Sequence, residues 1–332
     1  MNNDSQKPVM GFWANLPKPF FVLAPMADVT DAAFRQMIAK YSRHGEHGGG
    51  PDVFWTEFVS ADGLCSEGRE ILKRDLAFSD RELPIVAQIF SSNVDNMRKT
   101  AALIKELGFD GIDINMGCPD KSIEKQGAGA AHMKEIKHAQ DVIRATMEGS
   151  GGLPVSVKTR VGYNKENLEE WIGAILETKT AVITVHARTR KDLSLVPARW
   201  ELVERAKKLA EGTGTLIIGN GDVKNLADAK EKADATGADG VMIGRGVFGT
   251  PWLFDRDRTA PPTLAEKFEI MIEHTHLYEK LLGNIKNFAI MKKHYKAYVN
   301  GFDGAKELRV HLMDAKNADE VEKITRDFLK LM

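Results

Sequence analysis

Cys118 stands between a glycine and a proline in Asp113-Ile-Asn-Met-Gly-Cys-Pro119, just past a short apolar run. Neither neighbour favours continuing a strand or a helix, so the thiol is expected on a turn at a strand end. There it could be inert packing, a nucleophilic thiolate or a neutral proton donor. Cys65 is the other cysteine of the chain. Neither falls in a CxxC or Cys/His spacing, so no disulfide framework and no metal site are expected.

Other groups able to do chemistry recur at comparable places, each closing a short apolar run. In chain order they are Pro25 with Met26, Glu57, Gln88, Asn115 with Cys118, Lys158 with Arg160, His186 with Arg188, Asn220-Gly-Asp222, and Gly244-Arg245. The set mixes cations, amides and one thiol and lacks a carboxylate or histidine cluster for a metal. It suits an anionic cofactor rich in hydrogen-bonding groups. Lys158 on a buried strand needs an anionic or carbonyl partner, since an unpaired buried ammonium loses its proton. A reduced flavin ring or a substrate carbonyl would serve. Asn220-Gly-Asp222 and Gly244-Arg-Gly246 follow the last two runs, where many barrels bind phosphate through glycine N–H groups and a fixed charge.

Eight elements must position these groups. Apolar, β-rich runs occupy 20–26, 52–58, 84–90, 111–117, 154–160, 181–187, 215–221 and 240–246, with amphipathic stretches such as 93–107, 136–147, 168–177 and 200–211 between them. Buried strands alternating with helices imply a parallel sheet covered on its outer face. Eight such units predict a closed (β/α)8 TIM barrel with its chemistry at the carboxyl ends of the strands. After 251–254 comes a charged, proline-bearing linker, and 263–332 reads as helix throughout, opened by the capping box Thr263-Leu-Ala-Glu266. The predicted division is a catalytic barrel over 1–255 and a small all-helical domain over 263–332. The glycine-rich segment 42–51 reads as a flexible insertion, its two histidines as residues of a solvated loop.

Composition narrows the function classes. Net charge is −1, from 46 basic and 47 acidic side chains, so a nucleic acid would have to be held by local basic patches. One such patch spans 285–296: Lys286, Lys292, Lys293 and Lys296, with His294, Tyr295 as a stacking aromatic, and no acid. On a single helix, Lys286 and Lys293 would share a face, with Lys296 nearby. The polar start Met1-Asn-Asn-Asp-Ser-Gln6 and the lack of a long apolar run lead us to expect a cytoplasmic protein without membrane contact. A monomer is the default expectation.

Taken together, the chain resembles the tRNA-dihydrouridine synthase family of flavoenzymes. The matching segments are Ala24-Pro-Met-Ala-Asp-Val-Thr-Asp31, Val86-Ala-Gln-Ile-Phe90, the Cys118 segment, Gly127-Ala-Gly-Ala-Ala131, Val157-Lys-Thr-Arg160, Val185-His-Ala-Arg-Thr-Arg190, Gly219-Asn-Gly-Asp222 and Gly244-Arg-Gly246. Met291-Lys-Lys-His294 falls where that family has a basic helix. The resemblance implies FMN-dependent reduction of the C5–C6 double bond of uridine in RNA, in tRNA or rRNA, with NADPH as electron source. FMN would be held by Ala24, Pro25, Met26, Gln88, Lys158, His186, Asn220, Gly221, Asp222, Gly244 and Arg245. Cys118 would be the general acid, with Asn115 beside the uracil. Arg160 and Arg188 at the mouth and Lys292 and Lys293 in the tail would contact the RNA. Lys158, Arg160 or Arg188 would steady the enolate-like oxygen.

The chain departs from the family pattern at Lys191-Asp-Leu-Ser-Leu-Val-Pro-Ala-Arg-Trp200, where an aromatic and a glycine are usual. Two other readings remain open at this point. One is a flavin barrel of dihydroorotate or dihydropyrimidine dehydrogenase type, in which the cysteine is a base for a free pyrimidine. The other is an RNA-binding protein without catalysis.

Overall fold

The structure, a computed structural model, describes residues 7–331. Among them, nine strand segments form one parallel sheet: β1 Phe20–Leu23, β2 Phe54–Trp55, β3 Val59–Ser60, β4 Ile85–Phe90, β5 Gly111–Met116, β6 Val155–Arg160, β7 Val182–His186, β8 Leu216–Asn220 and β9 Gly240–Ile243. The order is β1-β9-β8-β7-β6-β5-β4-β2, with β3 also on β4. Backbone bonds from Asp52 N to Phe21 O (2.8 Å) and from Leu23 N to Val53 O (3.3 Å) draw β1 to the second strand position. The sheet thus comes round on itself, and the eight predicted strands are present as a (β/α)8 TIM barrel.

The second barrel strand is interrupted. Trp55 lies opposite Val86 and Val59 opposite Ile89, so residues 56–58 face only Ala87 and Gln88. One extra residue makes a bulge, which bends the strand and re-aims its side chains. The Thr56 hydroxyl takes the Gln88 N–H at 3.1 Å, a bond that keeps β4 satisfied across the break.

At the amino ends of the strands, aspartates tie neighbours together, Asp239 buried and Asp52 and Asp110 half-buried. Asp52 accepts from Phe21 N, Asp110 from Ile85 N and Asp239 from Ile217 N, at 2.6, 2.8 and 2.9 Å. Inside, Phe20, Val22, Trp55, Val86, Ile218 and Met242 pack with Trp13, which the 3-10 helix Gly11–Asn15 brings in. Chemistry is left to the opposite face, as this architecture demands.

The chain divides into two compact units. The barrel unit holds the described residues up to Met26 together with Asp52–Ala77 and Leu83–Gly244. The helical unit is larger than 263–332, because Ala27–Pro51, Phe78–Glu82 and the chain from Arg245 onward cluster together. Its helices are Ala32–Tyr41, Leu264–Leu282, Lys292–Tyr298, Ala305–Asp314 and Ala318–Leu331. The Thr263 capping box forms as predicted: Thr263 Oγ1 accepts from Glu266 N, and Glu266 accepts from Thr263 N at 2.7 Å. Among the described residues, no helix is long and apolar enough to cross a membrane.

Segment 42–51 corrects the sequence reading, because it is tied down rather than free. Ser42 Oγ donates to Pro251 O (2.7 Å) and accepts from Phe254 N (3.1 Å). Arg43 pairs with Asp255 and Asp257 at 2.7 and 2.8 Å, and Arg256 N donates to Gly48 O. The charged residues that read as a linker are the partners of this loop.

Candidate active site

The thiol turn is built from both sides. Asn115, the last inward-facing residue of β5, accepts the N–H groups of Gly117 and Cys118 through Oδ1 at 3.2 and 2.9 Å. The Cys118 carbonyl accepts from Ala130 N at 2.9 Å. Gly129 makes this approach possible: φ is +60°, and a Cβ there would lie 2.8 Å from Cys118 O. This is the physical content of the Gly127-Ala-Gly-Ala-Ala131 segment.

The Cys118 side chain packs on a small apolar cluster of Phe90, Ile123 and Ala128, which Phe58 also joins from the bulged strand. Phe58 meets Phe90 edge-on, with ring centres 5.6 Å apart. Burial in this setting pushes the thiol pKa up and outweighs the backbone N–H of Asp120, which pulls it down; the Asp120 charge adds a smaller rise, and Arg160 and Lys158 pull against it. The thiol is therefore held protonated at neutral pH, which suits a proton donor and opposes a thiolate nucleophile.

Beside Asn115, in register on β6, lies Lys158. Its ammonium donates to Asn220 Oδ1 at 3.4 Å, and Asn220 Nδ2 donates to Met242 O at 2.8 Å. Burial, followed by the repulsion of Arg160, lowers Lys158 to about 8. Arg160 is 6% exposed, and its guanidinium goes to three backbone carbonyls: Gly117, Thr189 and Leu193 at 2.8, 3.1 and 2.9 Å. It braces the thiol turn against the loop after β7.

Arg188 acts similarly. It donates to Val196 O at 2.6 Å, pairs with Asp222 and reaches His186 Nε2 at 3.2 Å. A guanidinium cannot accept, so His186 Nε2 is the acceptor and the ring proton belongs on Nδ1. Gly221 (φ +127°) lies against this group; a Cβ there would come within 3.2 Å of the His186 ring. The divergent loop 191–199 is thus held from below by two buried arginines, while Leu195 at its tip is 83% exposed.

Residues 22–332 match the dihydrouridine synthase (Dus) family. The chain is 38% identical over 322 residues to a Staphylococcus aureus (strain MRSA252) protein described as "Probable tRNA-dihydrouridine synthase", covering 96% of this chain and 95% of that protein. It is 38% identical to the Bacillus subtilis (strain 168) "Probable tRNA-dihydrouridine synthase 2", with 96% of each chain covered. This chain belongs to the dihydrouridine synthase family. Among solved structures, a 2-naphthoyl-CoA reductase complex superposes with TM-score 0.54 at 10% identity over 91% of this chain and 56% of that one. A 6-hydroxypseudooxynicotine amine oxidase from Pseudomonas geniculata gives 0.53 at 12% identity, over 80% and 53%. At such identities these two likenesses speak to the fold alone.

For a member of the dihydrouridine synthase family, the barrel unit gathers most of the residues named from the sequence. Gln88, Asn115, Cys118, Lys158, Arg160, His186, Arg188, Asn220, Gly221 and Asp222 are linked by the contacts above, or by Gln88 to Asn115 at 3.1 Å. Ala24 N donates to Ile243 O, and a Cβ on Gly244 would meet only Met26 Sδ and Ala24 Cβ, no nearer than 3.5 Å. Arg245 opens the 3-10 helix Arg245–Val247, which belongs to the helical unit.

The tail departs from the sequence reading. No single basic helix spans 285–296: one helix ends at Leu282, a 3-10 turn covers Phe288–Met291, and the next helix starts at Lys292. Lys286 therefore has no helical register with Lys293. Tyr295 and His294 are fully buried, so neither can stack on a base. Lys293 is exposed and pairs with Asp28 at 3.2 Å, and Lys292 is half-buried.

The sequence reading gave no role to Asp113 or Ser156. Asp113 accepts from Gln88 Nε2 and Ser156 Oγ, each at 2.6 Å. A signal was available: Asp113 and Asn115 alternate with isoleucine and methionine, which puts both polar groups on one face of an otherwise apolar strand.

Proposed function

We propose that this protein is an FMN-dependent tRNA-dihydrouridine synthase that reduces uridine to 5,6-dihydrouridine, with NADPH as its electron source. The observation that carries this reading is the Cys118 thiol, held protonated on an apolar cluster beside a strand-end set of amides and cations. Family membership and the printed names of the relatives support the substrate.

The residues suit a flavin. Lys158 is half-buried with a lowered pKa, Asn220 presents an amide beside it, and a Cβ on Gly244 would meet nothing nearer than 3.5 Å. Gln88, Lys158, His186 and Asn220 would line the ring, with Ala24, Pro25 and Met26 along one edge. Gly221, Asp222, Gly244 and Arg245 would serve the phosphate, as glycine N–H groups and arginine do elsewhere. When bound, FMN supplies the hydride that adds to C6 of uracil.

Cys118 then gives its proton to C5 from Sγ, and Asn115 holds the base. Negative charge develops toward the neighbouring carbonyl oxygen, and a fixed cation stabilises it. Arg160 and Arg188 are engaged with backbone carbonyls, which leaves Lys158 the most open of the three. The target base has to leave its stack to reach a barrel mouth, so the nucleotide is flipped. A dehydrogenase acting on a free pyrimidine would need this cysteine as a base, and a raised thiol pKa works against that.

In this proposal, residues 1–255 carry the catalysis and residues 263–332 hold RNA. Mapping dihydrouridine in RNA from cells with and without the protein tests the activity. Specific uridines in tRNA should lose the modification, and unchanged levels in both tRNA and rRNA would overturn the reading.

Lys292→Gln with Lys293→Gln should weaken RNA binding and flatten its salt dependence, by roughly 0.7–0.9 in log–log slope for each phosphate that is no longer neutralised. Flavin content should stay the same. Binding titrations at several salt concentrations measure this, and an unchanged slope would make the pair bystanders.

A further inference from the structure

A line of side chains runs from the barrel interior to the thiol turn, and its polarity is dictated from the outer end. Asn115 Oδ1 accepts two backbone N–H groups, those of Gly117 and Cys118, so the oxygen cannot trade places with Nδ2. Nδ2 must therefore point to Gln88, and it donates to Oε1 at 3.1 Å. With that oxygen engaged, Gln88 Nε2 faces Asp113 and donates to Oδ2 at 2.6 Å. Ser156 Oγ donates to the other carboxylate oxygen at 2.6 Å.

We propose that Asp113 is the positioning residue of this site: its ionised carboxylate accepts from Gln88 Nε2 and so holds the Gln88 carboxamide in the one orientation that the backbone-anchored Asn115 can pair with. It thereby sets which polar edge Gln88 offers to flavin and uracil, and where the Cys118 turn stands. This rests on the function proposed above. Without an acceptor at position 113, nothing at the inner end favours Nε2 over Oε1. A flipped Gln88 would set its NH2 against the NH2 of Asn115, and two facing donors would push Asn115 away from the thiol turn.

The surroundings of Asp113 make this lock sensitive to pH. Gln88 faces it from β4, Ser156 and Lys158 from β6, and Trp55 from β2; Lys158 is the charged group among them. Burial raises Asp113 to about 6, held down from higher values by the bonds from Ser156 and Gln88 and by the Lys158 charge. As pH falls through that value the carboxylate takes a proton and loosens its hold on Gln88.

Two variants and two readouts test this. Asp113→Asn can still accept from Gln88 through its oxygen and donate to Ser156 through its nitrogen. It should keep product formation within about tenfold of wild type and lose the fall on the acid side near pH ~6. Asp113→Leu removes the acceptor and should lower product formation about a hundredfold, the size expected of a misplaced reacting group. Wild-type rate in the leucine variant, or the same acid limb in the asparagine variant, would overturn the proposal.

The second readout needs no turnover. In the full-length protein without RNA, the side-chain amide NMR signals of Gln88 and Asn115 should titrate together in wild type and stay still in Asp113→Asn. If they do not move in wild type, or move alike in both, Asp113 does not govern them. This judges Asp113 even if the protein makes no dihydrouridine, a result that would sink the proposed function instead.

Discussion

Cys118→Ala is expected to lower dihydrouridine formation by about 10²- to 10⁴-fold, the usual worth of a positioned general acid. Flavin content and NADPH oxidation should remain at wild-type levels. The alanine keeps the backbone that anchors the turn, because Asn115 and Ala130 bond to the main chain of residue 118, not to its sulfur. Its methyl group still covers part of the cluster of Phe90, Ile123 and Ala128. What disappears is the proton that C5 must receive. Because burial raises the thiol pKa, wild-type activity should persist above the pH at which an exposed cysteine ionises and fall only as the thiolate forms. Mass spectrometry of RNA nucleosides, beside cofactor oxidation measured on the same samples, checks both halves. Equal product from the variant would remove Cys118 from the mechanism.

Glu82→Ala should destabilise the helical unit by about 3–5 kcal/mol, the cost of leaving a buried charge without its partner. Arg35 and Glu82 have no exposed side-chain surface, and their ion pair is 2.6 Å long. Arg35 also donates to Thr30 O at 2.9 Å, while Glu82 accepts from Ser79 N and Oγ at 2.8 and 3.0 Å. The pair therefore joins the helix Ala32–Tyr41 to the segment Phe78–Glu82. Arg35→Met combined with Glu82→Leu should recover most of the loss, since an apolar pair of similar volume avoids the desolvation of both charges. Urea titrations followed by circular dichroism measure the midpoints. A single variant as stable as wild type would mean that the guanidinium finds water or another acceptor.

Much of the barrel was legible because its signals are local. Every described strand except the short Val59–Ser60 falls inside a run read from apolar pattern alone, and Thr263 with Glu266 announced a helix start within four residues. Burial of a strand on both faces leaves an unbroken apolar run whatever its neighbours are, so no partner need be known. The basic tail shows the limit. Lys286 to Lys296 looked like one helix from charge spacing, yet the chain turns between Leu282 and Lys292, and Tyr295 goes inward. Spacing reports which face a residue would occupy; it does not report what packs against that face.

The same boundary runs through the candidate active site. The sequence alone determined that a thiol would stand on a turn at a strand end, among amides and cations at the mouth of an eight-stranded barrel. Only the tertiary structure decided what each group does there. It turned Arg160 and Arg188 into braces for backbone carbonyls, left Lys158 half-buried, and packed Cys118 where it keeps its proton. It also drew Asp113, Gln88 and Asn115 into one directed line. The reason is physical: hydrogen-bond partners and burial depend on residues brought together from different strands, and the protonation state of a thiol or a carboxylate follows from them.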